Sequence, residues 1–174
     1  MSYTTTHVLV TIIALELFRD YYFKNNKKFP RYYILVGALA SVFPDLEYLF
    51  LLSFKERYFL HSIFVPLTFF ILGLLAYIIN LRYKEFSKRH MNISFISFIF
   101  FIFAFGSLTH LILDFIFVDT IRVFYPFSNY EIGLELVSKF PSYLRELILP
   151  TLDAFLLFFW ILWLQFKLKI YDYF

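Results

Sequence analysis

The stretch ISFISFIFFIFAFGSLTHLILDFIFV, Ile93 to Val118, carries two messages. Its length and nearly unbroken apolar character suit a helix that crosses a bilayer, which takes roughly 20 residues. Yet His110 and Asp114 stand four residues apart in its second half. Either side chain in hydrocarbon is costly unless a partner compensates it.

The rest of the chain generalises the first message. Of its 174 residues, 61% are hydrophobic and 25% aromatic, and the mean hydropathy is +0.71. A soluble core does not need so much apolar surface, so the expected class is an integral membrane protein. The length suits one domain, and a single membrane-embedded helical domain is expected over residues 1–174. Cysteine is absent, which excludes disulfides, thiolate metal sites and a cysteine nucleophile. The N-terminal segment has no basic start and no small-residue cleavage site, so no cleavable signal peptide is expected.

Apolar runs predict about five spans, near 4–23, 32–52, 58–79, 93–118 and 149–168. The fold class is therefore an all-α polytopic membrane helical bundle. Loop 24–31 holds Lys24, Lys27, Lys28 and Arg31 without an acid, and loop 80–91 holds Arg82, Lys84, Lys88 and Arg89 against Glu85. With five spans these loops and the C-terminal tail share a side. The positive-inside rule then puts the N-terminus outside and the C-terminus in the cytoplasm of a plasma or inner membrane. The long 119–148 connection falls outside, and its Glu131–Phe140 part is predicted as a short amphipathic helix.

The second message generalises too. At about 1.5 Å rise per residue, His7, Asp45, Glu47, His61, His110, Asp114 and Asp153 all fall within roughly 5–12 Å of one face of a core about 30 Å thick. His90, among Lys88, Arg89 and Met91, falls on the opposite side and reads as a solvated loop residue. Any one of these polar groups has an ordinary explanation: a bond to a neighbouring helix, a helix-end position for Asp153, a pair with Arg19 for Glu16. Their convergence at one depth points instead to a divalent cation that neutralises the carboxylates and engages the imidazoles. Residues i and i+4 face one way on a helix, so His110 and Asp114 suit a shared metal. Pro44 predicts a kink that turns Asp45 and Glu47 towards a common cavity. Histidine and carboxylate ligands without sulfur favour zinc, with manganese, iron or magnesium as alternatives.

These residues, in order, resemble a known family, the LexA-binding, inner-membrane-associated YdjM-like hydrolases. That family shows a histidine near the N-terminus, a Pro-Asp-Ile-Asp-His block, a His-Arg-Gly-x-Thr-His-Ser block, a Ser-His-x3-Asp block and a later Trp-Pro. The corresponding stretches here are Thr6-His7, Pro44-Asp45-Leu46-Glu47-Tyr48, Glu56-Arg57-Tyr58-Phe59-Leu60-His61-Ser62, Thr109-His110-x3-Asp114 and Tyr125-Pro126. Glu47, Tyr48 and Glu56 depart from the pattern. The order also resembles the zinc-dependent phospholipase C and single-strand nuclease superfamily. That likeness implies a metal held by Asp45, His61, His110 and Asp114, with His7 at a neighbouring ion and Asp114 bridging, so one or two ions in all.

The expected function is a membrane-bound, metal-dependent hydrolase acting on a phosphoester of an amphiphilic, lipid-like substrate. Asp45, Glu47 or Glu56 would handle protons, and Arg57 would clamp a phosphate. The rivals are a non-catalytic membrane protein with a structural metal site and an ion or small-solute transporter. No nucleic-acid-binding motif is present, so no nucleic-acid partner is expected, and no surface for a protein partner is legible.

Overall fold

The computed structural model describes residues 4–23, 29–48, 59–82, 93–118 and 120–168. Among the described residues lie five long α-helices: α1 Thr4–Tyr21, α2 Tyr32–Val42, α3 Phe64–Arg82, α4 Ile93–Leu113 and α5 Ser142–Leu168. A 3-10 turn, Phe43–Leu46, continues α2, and a π turn, Asp114–Val118, continues α4. Among the described residues there is no β-sheet, only an isolated bridge between Ile121 and Ile132. Three stretches, Phe64–Arg82, Ser94–Phe117 and Ser142–Lys167, are long and apolar enough to cross a membrane. Tyr32–Leu46 is apolar but shorter.

The packing is organised around α4, which lies against α3 and α2 and also touches α1; α1 packs on α2, and α5 on α1. Large apolar side chains face outward. On α3 these include Leu67, Phe70, Ile71, Leu75 and Ile78; on α5, Phe155, Phe158, Ile161 and Phe166. Buried inside are Thr6, Thr11, Ser41, Ser97 and Ser107. Small and polar groups between helices, with bulky hydrocarbon outside, is the pattern of helices packed in lipid, where apolar side chains gain nothing by leaving the solvent. Ser97 donates to the Gly73 carbonyl at 2.8 Å, joining α4 to α3 without an exposed polar group.

The crossing of α2 and α4 depends on Gly106. A Cβ there would lie 2.7 Å from Ala40 Cβ, 2.8 Å from the Gly37 carbonyl oxygen and 3.1 Å from Ser41 N. The two backbones therefore meet one turn before His110. Away from this crossing, Leu15, Phe29, Tyr33, Ile34 and Ile102 form an apolar cluster with Phe23, Phe95 and Phe98 packed on it.

Several elements differ from the sequence expectation. The third helix begins at Phe64 rather than 58, and α5 begins at Ser142, before Pro150 rather than beside it. A proline inside a helix forfeits a hydrogen bond and biases its predecessor away from helix. Leu149, at 1% exposure, is held in place by burial. Glu131–Phe140 does not form the predicted amphipathic helix; only Val137–Lys139 makes a 3-10 turn. That backbone is bonded across the fold instead. Ile121 and Ile132 exchange N–H···O bonds of 2.9 and 3.1 Å, Leu134 N donates to Phe115 O at 2.7 Å, and Leu136 N donates to Ile116 O at 3.1 Å. Outside the spans, hydrogen bonds from Arg122 and Thr120 hold the Glu131 carboxyl below its ordinary pKa.

Gly106→Ala separates close packing from helix propensity. Alanine favours a helix over glycine by about 1 kcal/mol, whereas overpacking a crossing costs about 1–3 kcal/mol. Against unyielding backbone the second effect wins, so Gly106→Ala lowers the melting temperature in detergent. Gly73→Ala meets the Phe101 ring at 2.9 Å, which can turn aside, and costs less. A Gly106→Ala protein as stable as the parent contradicts this account of the crossing.

Candidate metal centre

Four elements bring the polar residues of the site end together. The first turns of α1 supply Thr4 and His7; the 3-10 turn after α2 supplies Asp45, with Glu47 just beyond it. The turn before α3 supplies His61, and the end of α4 with its π turn supplies His110 and Asp114. His61, His110, Asp114 and His7 are only 0, 1, 2 and 3% exposed.

The two central imidazoles are oriented by their outer nitrogens. His110 Nδ1 lies 2.7 Å from the Ser41 carbonyl oxygen. A carbonyl can only accept, so Nδ1–H donates and Nε2 is left with its lone pair. The local sequence makes that carbonyl available. Pro44 has no N–H, and a 3-10 turn bonds i to i+3, which releases Ser41 from its α-helical partner at position 45. His61 Nδ1 lies 3.1 Å from Glu47 Oε2. A carboxylate likewise accepts, so the His61 Nε2 lone pair also points away from its holder.

Both Nε2 atoms face the same two carboxylates. His61 Nε2 is 3.8 Å from Asp45 Oδ1 and 3.8 Å from Asp114 Oδ2; His110 Nε2 is 3.6 and 3.5 Å from the same atoms. These separations exceed hydrogen-bond range. They are close to the edges of a tetrahedron of donors around a zinc ion, about 3.3–3.6 Å for the usual bond lengths. His110 Nε2 is buried without a hydrogen-bond partner, an expensive arrangement for a polar atom unless a cation is there to receive it. Asp45, His61 and His110, and separately His7, His110 and Asp114, place ligand atoms within 4.8 Å of one another. The residues present therefore fit a divalent metal ion. His110 belongs to both groups, and its Nδ1 is engaged by Ser41. Its one Nε2 lone pair can serve Asp45 and His61 or His7 and Asp114, so the donors describe two overlapping three-residue positions that share His110.

The outer faces of the carboxylates are bonded as well. Thr4 donates to Asp45 Oδ2 at 3.1 Å. His7 Nε2 approaches Asp114 Oδ1 at 3.1 Å, and the His7 ring lies 4.2 Å from that of His110. Glu47, expected to handle protons, has Oε1 bonded to Phe59 N at 2.7 Å and Oε2 to Leu60 N at 3.2 Å, besides the His61 contact. Glu56 and Arg57 lie outside the described residues, as does His90. Asp153 is not at a helix start; it sits well inside α5 and accepts a hydrogen bond from Thr6. Thr4 and the Ser41 carbonyl were not singled out from sequence. The Thr4-Thr5-Thr6 run before His7 is a signal for the first, but a backbone carbonyl leaves none.

The other end of α1 shows an ordinary solution to the same burial problem. Arg19 Nη1 lies 3.7 Å from Glu16 Oε2, as the i, i+3 spacing predicts, and Arg19 Nε donates to the Phe29 carbonyl at 3.0 Å. Lys167 pairs with Asp20, tying α5 to α1. Acids there meet cations. Asp45, among the described residues, meets imidazoles and a threonine hydroxyl.

The chain matches the model of the YdjM inner membrane protein family over residues 1–172 and belongs to that family. No curated protein and no solved structure matches it.

A ligand that binds only the folded state stabilises it, by about 2.7 kcal/mol at a hundredfold excess over Kd. Zinc should raise the melting temperature of metal-stripped parent protein and leave His110→Ala and Asp114→Asn unmoved. Lys167→Met should lower the melting temperature while keeping the zinc response. Equal responses in parent and His110→Ala would rule out metal binding at this cluster.

Proposed function

We propose that this member of the YdjM inner membrane protein family is a multi-pass, metal-dependent hydrolase acting on a phosphoester of an amphiphilic, lipid-like substrate. The observation that carries the reading is that His61 Nε2 and His110 Nε2 each stand 3.5–3.8 Å from Asp45 Oδ1 and from Asp114 Oδ2 in a buried setting. Zinc is the preferred ion for a set of imidazoles and carboxylates. Bound there, a divalent metal supplies Lewis acidity, polarising the scissile ester and making water more acidic.

The chain's own groups divide the remaining work. His110 and His61, oriented by Ser41 and Glu47, present lone pairs to the centre. Asp45 would hold the ion through Oδ1, leaving Oδ2, bonded to Thr4, to accept the proton of the attacking water and pass it to the leaving oxygen as the P–O ester bond breaks. Arg57 is assigned to the phosphate and Glu56 to proton transfer, both on the basis of their positions in sequence. In the five-span topology read from the sequence, with the N-terminus outside, the centre would lie just beneath the outer face, where an amphiphilic substrate would reach it sideways from the leaflet.

One observation favours a second reading. Were Asp45, His61, His110 and Asp114 all to bind one zinc, four protein donors would fill its usual coordination, as in sites that only staple a fold, whereas catalytic zinc usually keeps a position open. An ion of higher coordination number at the same residues keeps open positions.

Hydrolysis of a phospholipid and of a soluble phosphodiester, by detergent-purified protein loaded in turn with zinc, manganese or magnesium, separates the two. The hydrolase reading expects metal-dependent release of the alcohol, lost by about a thousandfold or more in Asp45→Asn and His110→Ala. Stoichiometric metal with no turnover on any phosphoester favours the staple.

A further inference from the structure

We infer that Glu47 is a positioning residue: its carboxylate determines which nitrogen of His61 faces the metal-ligand cluster and ties that orientation to the turn leading into α3. The inference deepens the metal-holding reading above and rests on it.

Glu47 is 6% exposed. Its Oε1 accepts a hydrogen bond from Phe59 N at 2.7 Å, and its Oε2 accepts from Leu60 N at 3.2 Å and from His61 Nδ1 at 3.1 Å. The three donors are consecutive residues, so one carboxylate grips the Phe59-Leu60-His61 turn and the ring that hangs from it. Backbone N–H groups left without a partner are costly, and Glu47 accepts from two consecutive ones across from the neighbouring element.

Asp45 and Glu47 are two residues apart and meet the same imidazole from opposite sides. Asp45 Oδ1 faces Nε2 at 3.8 Å, and Glu47 Oε2 faces Nδ1 at 3.1 Å. The ring stands between them. Glu47 therefore acts on the cluster through His61 and not by joining it. A carboxylate behind a metal-binding histidine selects the tautomer, holds the ring plane and raises the basicity of the ligating nitrogen. The Ser41 carbonyl does the first two of these for His110, but it carries no net charge and makes a single contact at 2.7 Å.

Zinc affinity of detergent-purified protein, measured by competition with a chromophoric chelator, tests the assignment. Glu47→Gln keeps the shape and loses the charge, and its zinc Kd should weaken by about 10–100-fold. A group acting through His61 has nothing left to act on once that ring is gone. Adding Glu47→Gln to His61→Ala should therefore weaken zinc binding little further. Nitrogen-15 histidine spectra of the metal-stripped parent should show His61 protonated at Nδ1, with that preference reduced in Glu47→Gln. This readout needs no His61 variant to fold. Unchanged zinc affinity in Glu47→Gln, losses that multiply in the double variant, or a parent His61 protonated at Nε2 would each overturn the inference. Parent protein that takes up no zinc overturns the metal-holding reading first.

Discussion

Titratable groups buried in hydrocarbon have to be compensated, and that requirement organises the site end of this bundle. Imidazoles from three segments and two carboxylates meet where the fold is driest. In His110 and His61 the nitrogen that faces away from the centre is matched with an acceptor: a backbone carbonyl behind His110, a carboxylate behind His61. The inward nitrogens and the inward carboxylate oxygens then stand at separations too long for hydrogen bonds and suited to a shared cation. At the other end of α1 the requirement is met locally, with Glu16 against Arg19 and Asp20 against Lys167. The contrast gives the site end its chemical meaning, because acids that needed only neutralising could have been neutralised the same way.

The bundle that holds these groups is packed in the sense that lipid demands. Bulky side chains cover the outer faces of α3 and α5, while glycine, alanine, serine and threonine fill the space between helices. At the crossing of α2 with α4, close approach is a matter of one missing Cβ. Gly106 lets the Ala40–Ser41 backbone come near enough for the Ser41 carbonyl to reach His110. Pro44 then changes the backbone pattern, so that the same carbonyl is left for a side chain and Asp45 is turned inward. Packing and ligand geometry are therefore two consequences of the same few residues.

The long connection after α4 is part of this architecture. Its extended backbone is bonded to carbonyls of the π turn that begins at Asp114, and Val123 accepts from Ile63, two residues beyond His61. An amphipathic periodicity in Glu131–Phe140 suggested a helix, but nine or ten residues gain little as an isolated helix, and bonds to Phe115 and Ile116 outweigh that gain. Pro150 misled in the opposite direction: tertiary burial of Leu149 keeps in the helix a residue that local preference would release.

The class of the protein was legible from residue types alone, since no soluble core uses so much hydrocarbon and a helix is what carries it across a membrane. The candidate ligands His7, Asp45, His61, His110 and Asp114 were legible as well, because ionisable residues in apolar spans are costly enough to stand out and the rise of a helix gives their depth. Depth, however, is one coordinate of three. Which nitrogen of each imidazole faces inward, that Glu47 stands behind His61, and that Ser41 lends its carbonyl to His110 depend on contacts between segments distant in the chain. Side-chain direction around a helix axis is settled by neighbouring backbones, and only the assembled bundle brings those together.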